Sequence, residues 1–389
     1  MKVLTLFAVA GLCAAAVAQD AELVRRAVLE THNIPHGDLP RQRQIHSATI
    51  TEANDGTLLA AWFGGSREGR ADVDIWVARK PIDGPWAAPT VADDGVCTIT
   101  GRDGQERGIE YACWNPVLFT DPDSGRIYLW FKITGETDLP GYKNWWGAVR
   151  TSDDHGRTWS ERIWLPEIKE EQRHAVFEPY ANRAIGPVKN RPIVMPNGDL
   201  LCASSTESPV GWRIHFERYR AGDWTGQQHG VEIIGPLLEA DANAPRGPGN
   251  AHAIQPSFIV LSPEMEHLAV FARESAWSES RDGGTTWSPI ERAPINTKAG
   301  SHAMTTSGGV HLLAYNPPPS RRPLSLARSF DGQRWEVLIE DVSQNRDQAD
   351  YPTIMQGADG RIHIVHSHGR EHVRHIVLDR SVVETSNEQ

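Results

Sequence analysis

Cysteine is scarce in this sequence. Four of 389 residues are cysteine, and Cys13 lies in a leading apolar stretch, which leaves Cys97, Cys113 and Cys202 for the body of the chain. Their spacing fits no zinc-ligand pattern. An odd number of thiols excludes complete pairing, although export would permit a Cys97–Cys113 disulfide closing a loop. Positive charge is also in short supply: 39 Lys and Arg stand against 50 Asp and Glu, a net charge of −11. That sign argues against nucleic acid or an anionic membrane surface as a partner, while a local cluster of arginines can still receive a small acidic ligand. Helical periodicity is missing too. Apart from Ala21 to Thr31, no long segment repeats its apolar residues at the helical period, so a helical fold is excluded.

What is present is turn formers and flat side chains: 34 Gly, 26 Pro and 14 Trp, in a chain that is 39% apolar and 23% charged. Frequent turns with large aromatic residues suit many short strands around a real core. The opening residues form a pattern of their own. Lys2 supplies a positive start, Val3 to Ala16 an apolar run, and Ala16-Val17-Ala18 a small-residue cleavage signal. Residues 1–18 are therefore expected to be a signal peptide cut after Ala18, with residues 19–44 a lead-in segment and 45–389 the folded unit. The expected location is secreted or periplasmic, with no membrane insertion after cleavage.

A short motif recurs. Ser152-Asp153-Asp154-His155-Gly156-Arg157-Thr158-Trp159 and Ser280-Arg281-Asp282-Gly283-Gly284-Thr285-Thr286-Trp287 both fit S-x-D-x-G-x-T-W, and Ser329 to Trp335 is a version one residue shorter. Weaker echoes end at Trp86 and Trp224. The chemistry is that of a hairpin turn: an Asp caps backbone N–H groups, a Gly takes positive φ, and a Trp packs the turn onto the strands. A second series agrees. Turns at Asn54-Asp55-Gly56, Ser124-Gly125, Asn197-Gly198, Pro263 to Glu266, Ser307-Gly308-Gly309 and Asp359-Gly360 each precede a short apolar strand. Six such units predict an all-β, six-bladed β-propeller.

In a propeller the inner strands of successive blades converge on one axis, so polar residues that interrupt them once per blade are the candidates for a site. These are His46; Glu68 and Asp72; Asn115; Lys189 and Asn190; Glu207; Gln255; Arg273; Asn316 and Arg321; and Tyr351. Taken singly, each is more often a solvated or structurally paired residue than a functional one. The stretch His363, His366, His368, His372 and His375 carries no neighbouring cysteine or carboxylate cluster to complete a tetrahedral metal set and reads as ordinary strand and turn histidines. No metal and no cofactor is implied.

The chain resembles the BNR/Asp-box sialidase superfamily, closest to its "predicted neuraminidase" branch. The segments that carry the resemblance are HSATITEANDGTLLAAWFGGSREG, CWNPVLF, WWGAVRTSDDHGRTW, GPVKNRPIVMPNGDLL, AIQPS, AYNPPPSRRPLSLARSFDG and DYPTIMQGADGRIHIVH, spanning about Ile45 to Asp379. In sialidases three arginines hold the substrate carboxylate, a tyrosine attacks the anomeric carbon, a glutamate activates it and an aspartate is the acid/base. The resemblance implies that Arg273 and Arg321 are the second and third arginines, with Arg322 a rival for the latter, and that Tyr351 is the nucleophile. Three positions depart from the pattern. His46-Ser47-Ala48 stands where the first arginine is expected, Gln255-Pro256 where the glutamate is, and the aspartate has no direct counterpart, leaving Glu68, Asp72 and Glu207 as nearby carboxylates.

Gln255 cannot accept a proton, so either Glu207 replaces it or Tyr351 and His46 act as an acid/base pair. The implied function is that of a glycoside hydrolase removing a terminal acidic sugar from a glycan, with Lys189, Asn190, Asn115, Asn316 and Gln255 lining the substrate site. Two alternatives stay open on the same scaffold: a uronate-directed polysaccharide lyase or hydrolase, and a non-catalytic acidic-sugar-binding propeller.

Overall fold

Six four-stranded antiparallel sheets make up the computed structural model, and they are arranged as the blades of a β-propeller. The structure describes residues 22–35, 43–100, 103–134, 145–172, 183–208, 211–235, 253–344 and 347–385. The expected signal peptide at residues 1–18 lies outside the described residues. The blades follow chain order from their innermost strands, which are Gln44–Glu52, Cys113–Thr120, Ile193–Val194, Ser257–Val260, His302–Thr305 and Ala349–Gln356.

Each turn of the second series joins an inner strand to the next one out, as from Gln44–Glu52 to Leu58–Gly65 through Asn54 to Gly56. These second strands are the most buried: Leu58–Gly65 is buried along its whole length. Sheet neighbours cover one another edge to edge and adjacent blades cover both faces, so the strand reads as an unbroken apolar run rather than an alternation. The core accordingly divides into six clusters, one at each blade-to-blade interface. Trp62, Trp76 and Ile50 of the first blade meet Met355 and Val365 of the last, and Phe271 and Trp277 of the fourth meet Leu313 and Ala327 of the fifth.

The S-x-D-x-G-x-T-W segments form the turns between third and fourth strands. Asp154 accepts from the Thr158 N–H at 2.9 Å and the Thr158 hydroxyl at 2.6 Å, while Ser152 Oγ accepts from Gly156 N–H at 2.9 Å. Asp282 repeats this with Thr286 at 2.8 and 2.6 Å, and Asp331 accepts from Gln333 and Arg334 N–H at 2.9 and 2.7 Å. The Thr158 hydroxyl and N–H hold the Asp154 carboxyl well below the usual carboxylate range.

Two expectations, the helix and the lead-in segment, are corrected, and the permitted disulfide is not formed. The helix read over Ala21 to Thr31 covers residues 22–27 only, and the chain is extended from Val28. Val28–Ile34 pairs antiparallel with His372–Leu378 as the outermost strand of the last blade, so part of the stretch read as a lead-in completes the ring. Tertiary pairing outweighs local helical preference here, and the β-branched Val28, Thr31 and Ile34 suit the ladder. The disulfide is absent: Cys97, Cys113 and Cys202 are buried free thiols. The Cys97 thiol points to the Gly95 carbonyl at 3.6 Å, and burial pushes the Cys97 and Cys113 thiols above their ordinary values, which keeps both protonated.

Candidate active site at one mouth of the axial channel

Inner strands enter the axis through strained backbone. Ser47, Asn115, Lys189, Gln255 and Tyr351 all have positive φ, between 42° and 69°, at or just before the inner strands of five blades. The fifth blade carries Gly300 at the corresponding place, two residues before its strand as Gln255 is before Ser257. In three blades the pairing register slips here: between His46 and Thr49, Trp114 and Val117, and Asp350 and Thr353. A β-bulge with a left-handed residue turns side chains that would follow the strand's alternation toward the axis instead. Each non-glycine residue held in this region costs on the order of 1–3 kcal/mol, and such outliers gather at functional sites. The turns between second and third strands lie at this same mouth, whereas both series of sequence turns lie on the opposite face.

Tyr351 is the hub. Arg273 Nη1 donates to its phenol oxygen at 3.3 Å, the Arg321 guanidinium lies over its ring at 5.6 Å, and the His46 ring meets it edge-on with centroids 4.2 Å apart. Gln255 faces it across Gly300: a methyl added to that glycine would sit 2.9 Å from both Gln255 Oε1 and Tyr351 Cδ1. Gln255 is 3% exposed and its Oε1 is a buried acceptor with no hydrogen-bond partner. Three residues separated widely in sequence, His46, Arg273 and Arg321, therefore meet on Tyr351, with Gln255 facing it across Gly300.

The remaining candidates divide between clamps, flanks and the axis. Asn190 donates to the carbonyl oxygens of Gln255 and Pro256 at 2.9 and 3.0 Å, fixing the Gln255 bulge. Asn316 does the same for Pro323 and Ala349 at 2.9 and 3.1 Å. Asn115 is buried at its own bulge. Lys189 is fully buried on the axis, where its ammonium donates to Asn190 Oδ1, the Ser301 carbonyl and the Pro352 carbonyl. It ties three blades together, and burial pushes its proton affinity far below the ordinary lysine value. Glu207 lies opposite Trp212, whose ring sits 5.6 Å beneath the Arg273 guanidinium. Asp72 is turned to Ser66, accepting from its N–H and hydroxyl at 3.1 and 2.9 Å. Glu68 pairs with Arg370 at 2.8 Å.

Arg370 and Asp350 were not among the sequence candidates. The Asp350 carboxyl is fully buried directly before Tyr351, 3.5 Å from Arg321 Nη1 and 3.7 Å from Arg370 Nε. Burial raises its proton affinity, and Arg321, Gln348 and Arg370 pull it back. The D-Y-P sequence offered a signal for Asp350. Arg370 sits in the hairpin tip among the histidines of the 363–375 stretch, and no local signal marks it. Those histidines are packed among themselves: His363 Nδ1 and His375 Nε2 are 3.0 Å apart, the Trp86 indole donates to His375 Nδ1 at 3.3 Å, and burial lowers His363 to about 4. Among the described residues no group of three or more His, Cys, Asp or Glu is placed to hold a metal ion.

A family model described as a BNR repeat-like domain matches residues 56–364. No curated protein sequence matches the chain. Similar solved structures include the NanB sialidase of Streptococcus pneumoniae, at 12% identity and TM-score 0.63, covering 89% of this chain and 70% of that one. The Hadza microbial sialidase Hz136 is similar at 18% identity and TM-score 0.66, over 91% and 69% of the two chains. An α-L-arabinanase of Penicillium chrysogenum aligns at 14% identity and TM-score 0.60, over 92% and 99%. At these identities the likeness is one of fold.

Proposed function

The chain belongs to the BNR repeat-like domain family, and from that premise we propose that it is an exported glycoside hydrolase that removes a terminal acidic sugar, sialic acid or a relative, from a glycan. The observation that carries the reading is the convergence on Tyr351 of Arg273, Arg321 and His46. Two guanidinium forks at one mouth suit a sugar carboxylate. A phenol between them can approach an anomeric carbon without the repulsion a carboxylate nucleophile would meet from that same substrate group. In this reading Tyr351 Oη attacks the anomeric carbon, His46 takes up the phenol proton, and a carboxyl group at the rim, Glu68, Asp72 or Glu207, protonates the departing glycosidic oxygen. Asn190 and Asn316 hold the bulges that aim Gln255 and Tyr351.

One observation favours a second reading, a uronate-directed lyase or hydrolase on the same propeller. The side chain packed on Tyr351 is an imidazole and the residue facing it is an amide that takes no proton, so it is Tyr351 and His46 that are equipped to move a proton next to a uronate carboxylate. A single set of assays separates them. Release of a chromogenic leaving group from a sialoside, abolished by Tyr351→Phe, supports the hydrolase. Appearance of an ultraviolet-absorbing unsaturated uronate supports the lyase. Saturable binding of acidic glycans with no turnover of any of them sinks both and leaves a lectin.

A further inference from the structure

The axial channel has a second mouth, on the face of the Asp turns, and Lys189 separates it from the first. Its cavity, about 390 Å³, is bounded by Phe119, Phe258, Met304 and Met355 from four inner strands, with Met265 at its rim. Two polar groups break this apolar cup. Arg191, two residues after the axial lysine, has its guanidinium 5.3 Å over the Phe119 ring and makes no side-chain hydrogen bond or ion pair among the described residues. Burial lowers it to about 10, and the nearest opposing charge, Glu52, is already engaged by the Ala358 N–H at 2.7 Å.

His302 is the other. Its Nδ1 accepts from the Ile354 N–H at 3.0 Å. The neutral ring therefore carries its proton on Nε2, and His302 is one of the residues lining the cavity. Burial, then Lys189 and Arg191, holds His302 well below the ordinary imidazole value, so it stays a neutral donor. No carboxylate lines this cavity among the described residues.

We propose that this far mouth is a second binding site, for a small organic oxyanion with an apolar body, such as an aryl or short alkyl carboxylate. The carboxylate lies against the Arg191 fork and the His302 Nε2–H, and the apolar body fills the cup of phenylalanine and methionine. A guanidinium partly withdrawn from water beside an aromatic ring and thioethers, with no ion pair among the described residues, is stabilised by an anion that brings both the charge and the hydrocarbon. Methionine walls adapt to more than one apolar shape. The volume suits about ten to twenty non-hydrogen atoms, below the size of an oligosaccharide.

The test uses the full chain and phenylacetate as probe, titrated by calorimetry, with phenylacetamide and inorganic phosphate as the uncharged and bare-anion controls. Phenylacetate is expected to saturate one site, at least tenfold more tightly than either control. Arg191→Gln is expected to weaken it tenfold or more, and Met265→Trp, which fills the rim and leaves Arg191 in place, to do the same if Arg191→Gln does not fold. Tyr351→Phe and Arg321→Gln are expected to leave it unchanged. Loss of binding in Arg321→Gln with retention in Arg191→Gln puts the anion at the tyrosine mouth and overturns the proposal. So does phosphate binding as tightly as phenylacetate, or no saturable phenylacetate binding at all.

Discussion

The two mouths of the channel are built from the same inner strands and treat arginine in opposite ways. At the tyrosine mouth the three guanidinium groups gathered around Asp350 and Tyr351 each have an internal carboxylate: Arg273 faces Glu274 at 3.5 Å, Arg321 faces Asp350 at 3.5 Å, and Arg370 is shared between Glu68 and Asp350. At the far mouth Arg191 faces a phenylalanine ring. Pairing fixes a guanidinium's direction and offsets much of its charge, so the tyrosine mouth is organised for orientation. The unpaired arginine is less constrained and keeps its full charge. The inner strands follow the same division, with left-handed residues where they begin at the first mouth and regular ladder where they end at the second.

The largest expected effect tests whether paired arginines still bind substrate. Arg321→Gln should lower kcat/KM on the acidic glycoside on the order of 10³-fold, the scale of a removed transition-state contact. Activity within a few-fold of wild type would mean that Asp350 alone is Arg321's business. Next comes the partition between the mouths. Lys189→Met strips the donor from three buried acceptors and should reduce stability to urea by about 3 kcal/mol, and an unchanged midpoint would show that the axis does not need its tie. Gly300→Ala is smaller. Its methyl would press on Gln255 Oε1 and Tyr351 Cδ1, and misplacement of that order should cost about tenfold to a hundredfold in kcat with little change in melting. The smallest is remote from both mouths: Asp282→Ala should lower stability by about 1–2 kcal/mol and leave KM alone.

Much of this arrangement was legible in the residues. The six hairpin turns and the repeated Asp turns give the blade number because each encodes its own backbone conformation locally. His46, Gln255, Arg273, Arg321 and Tyr351 could be picked out because they interrupt apolar strands. What stayed hidden depends on contact across the ring. Nothing local tells that Val28–Ile34 belongs to the last blade, that Arg370 reaches Glu68 of the first, or that Lys189 faces carbonyl oxygens of two other blades. Ser47 was passed over for the opposite reason: its side chain is unremarkable, and only its φ of 55° marks it as part of the ring of bulges.

The outer strand of the last blade has a consequence for how the molecule is made. Val28–Ile34 leaves the ribosome before the inner strand of any blade, and its partner His372–Leu378 leaves after all six of them. Five blades can assemble as they emerge, each from contiguous chain, but the ring stays an open arc until the last blade has been made. The early strand must wait unpaired throughout, with its apolar Val28 and Ile34 uncovered. Closure is therefore a single event that brings together two segments separated by the whole ring, and a chain that stalls before residue 372 has every blade begun and no way to fasten the circle.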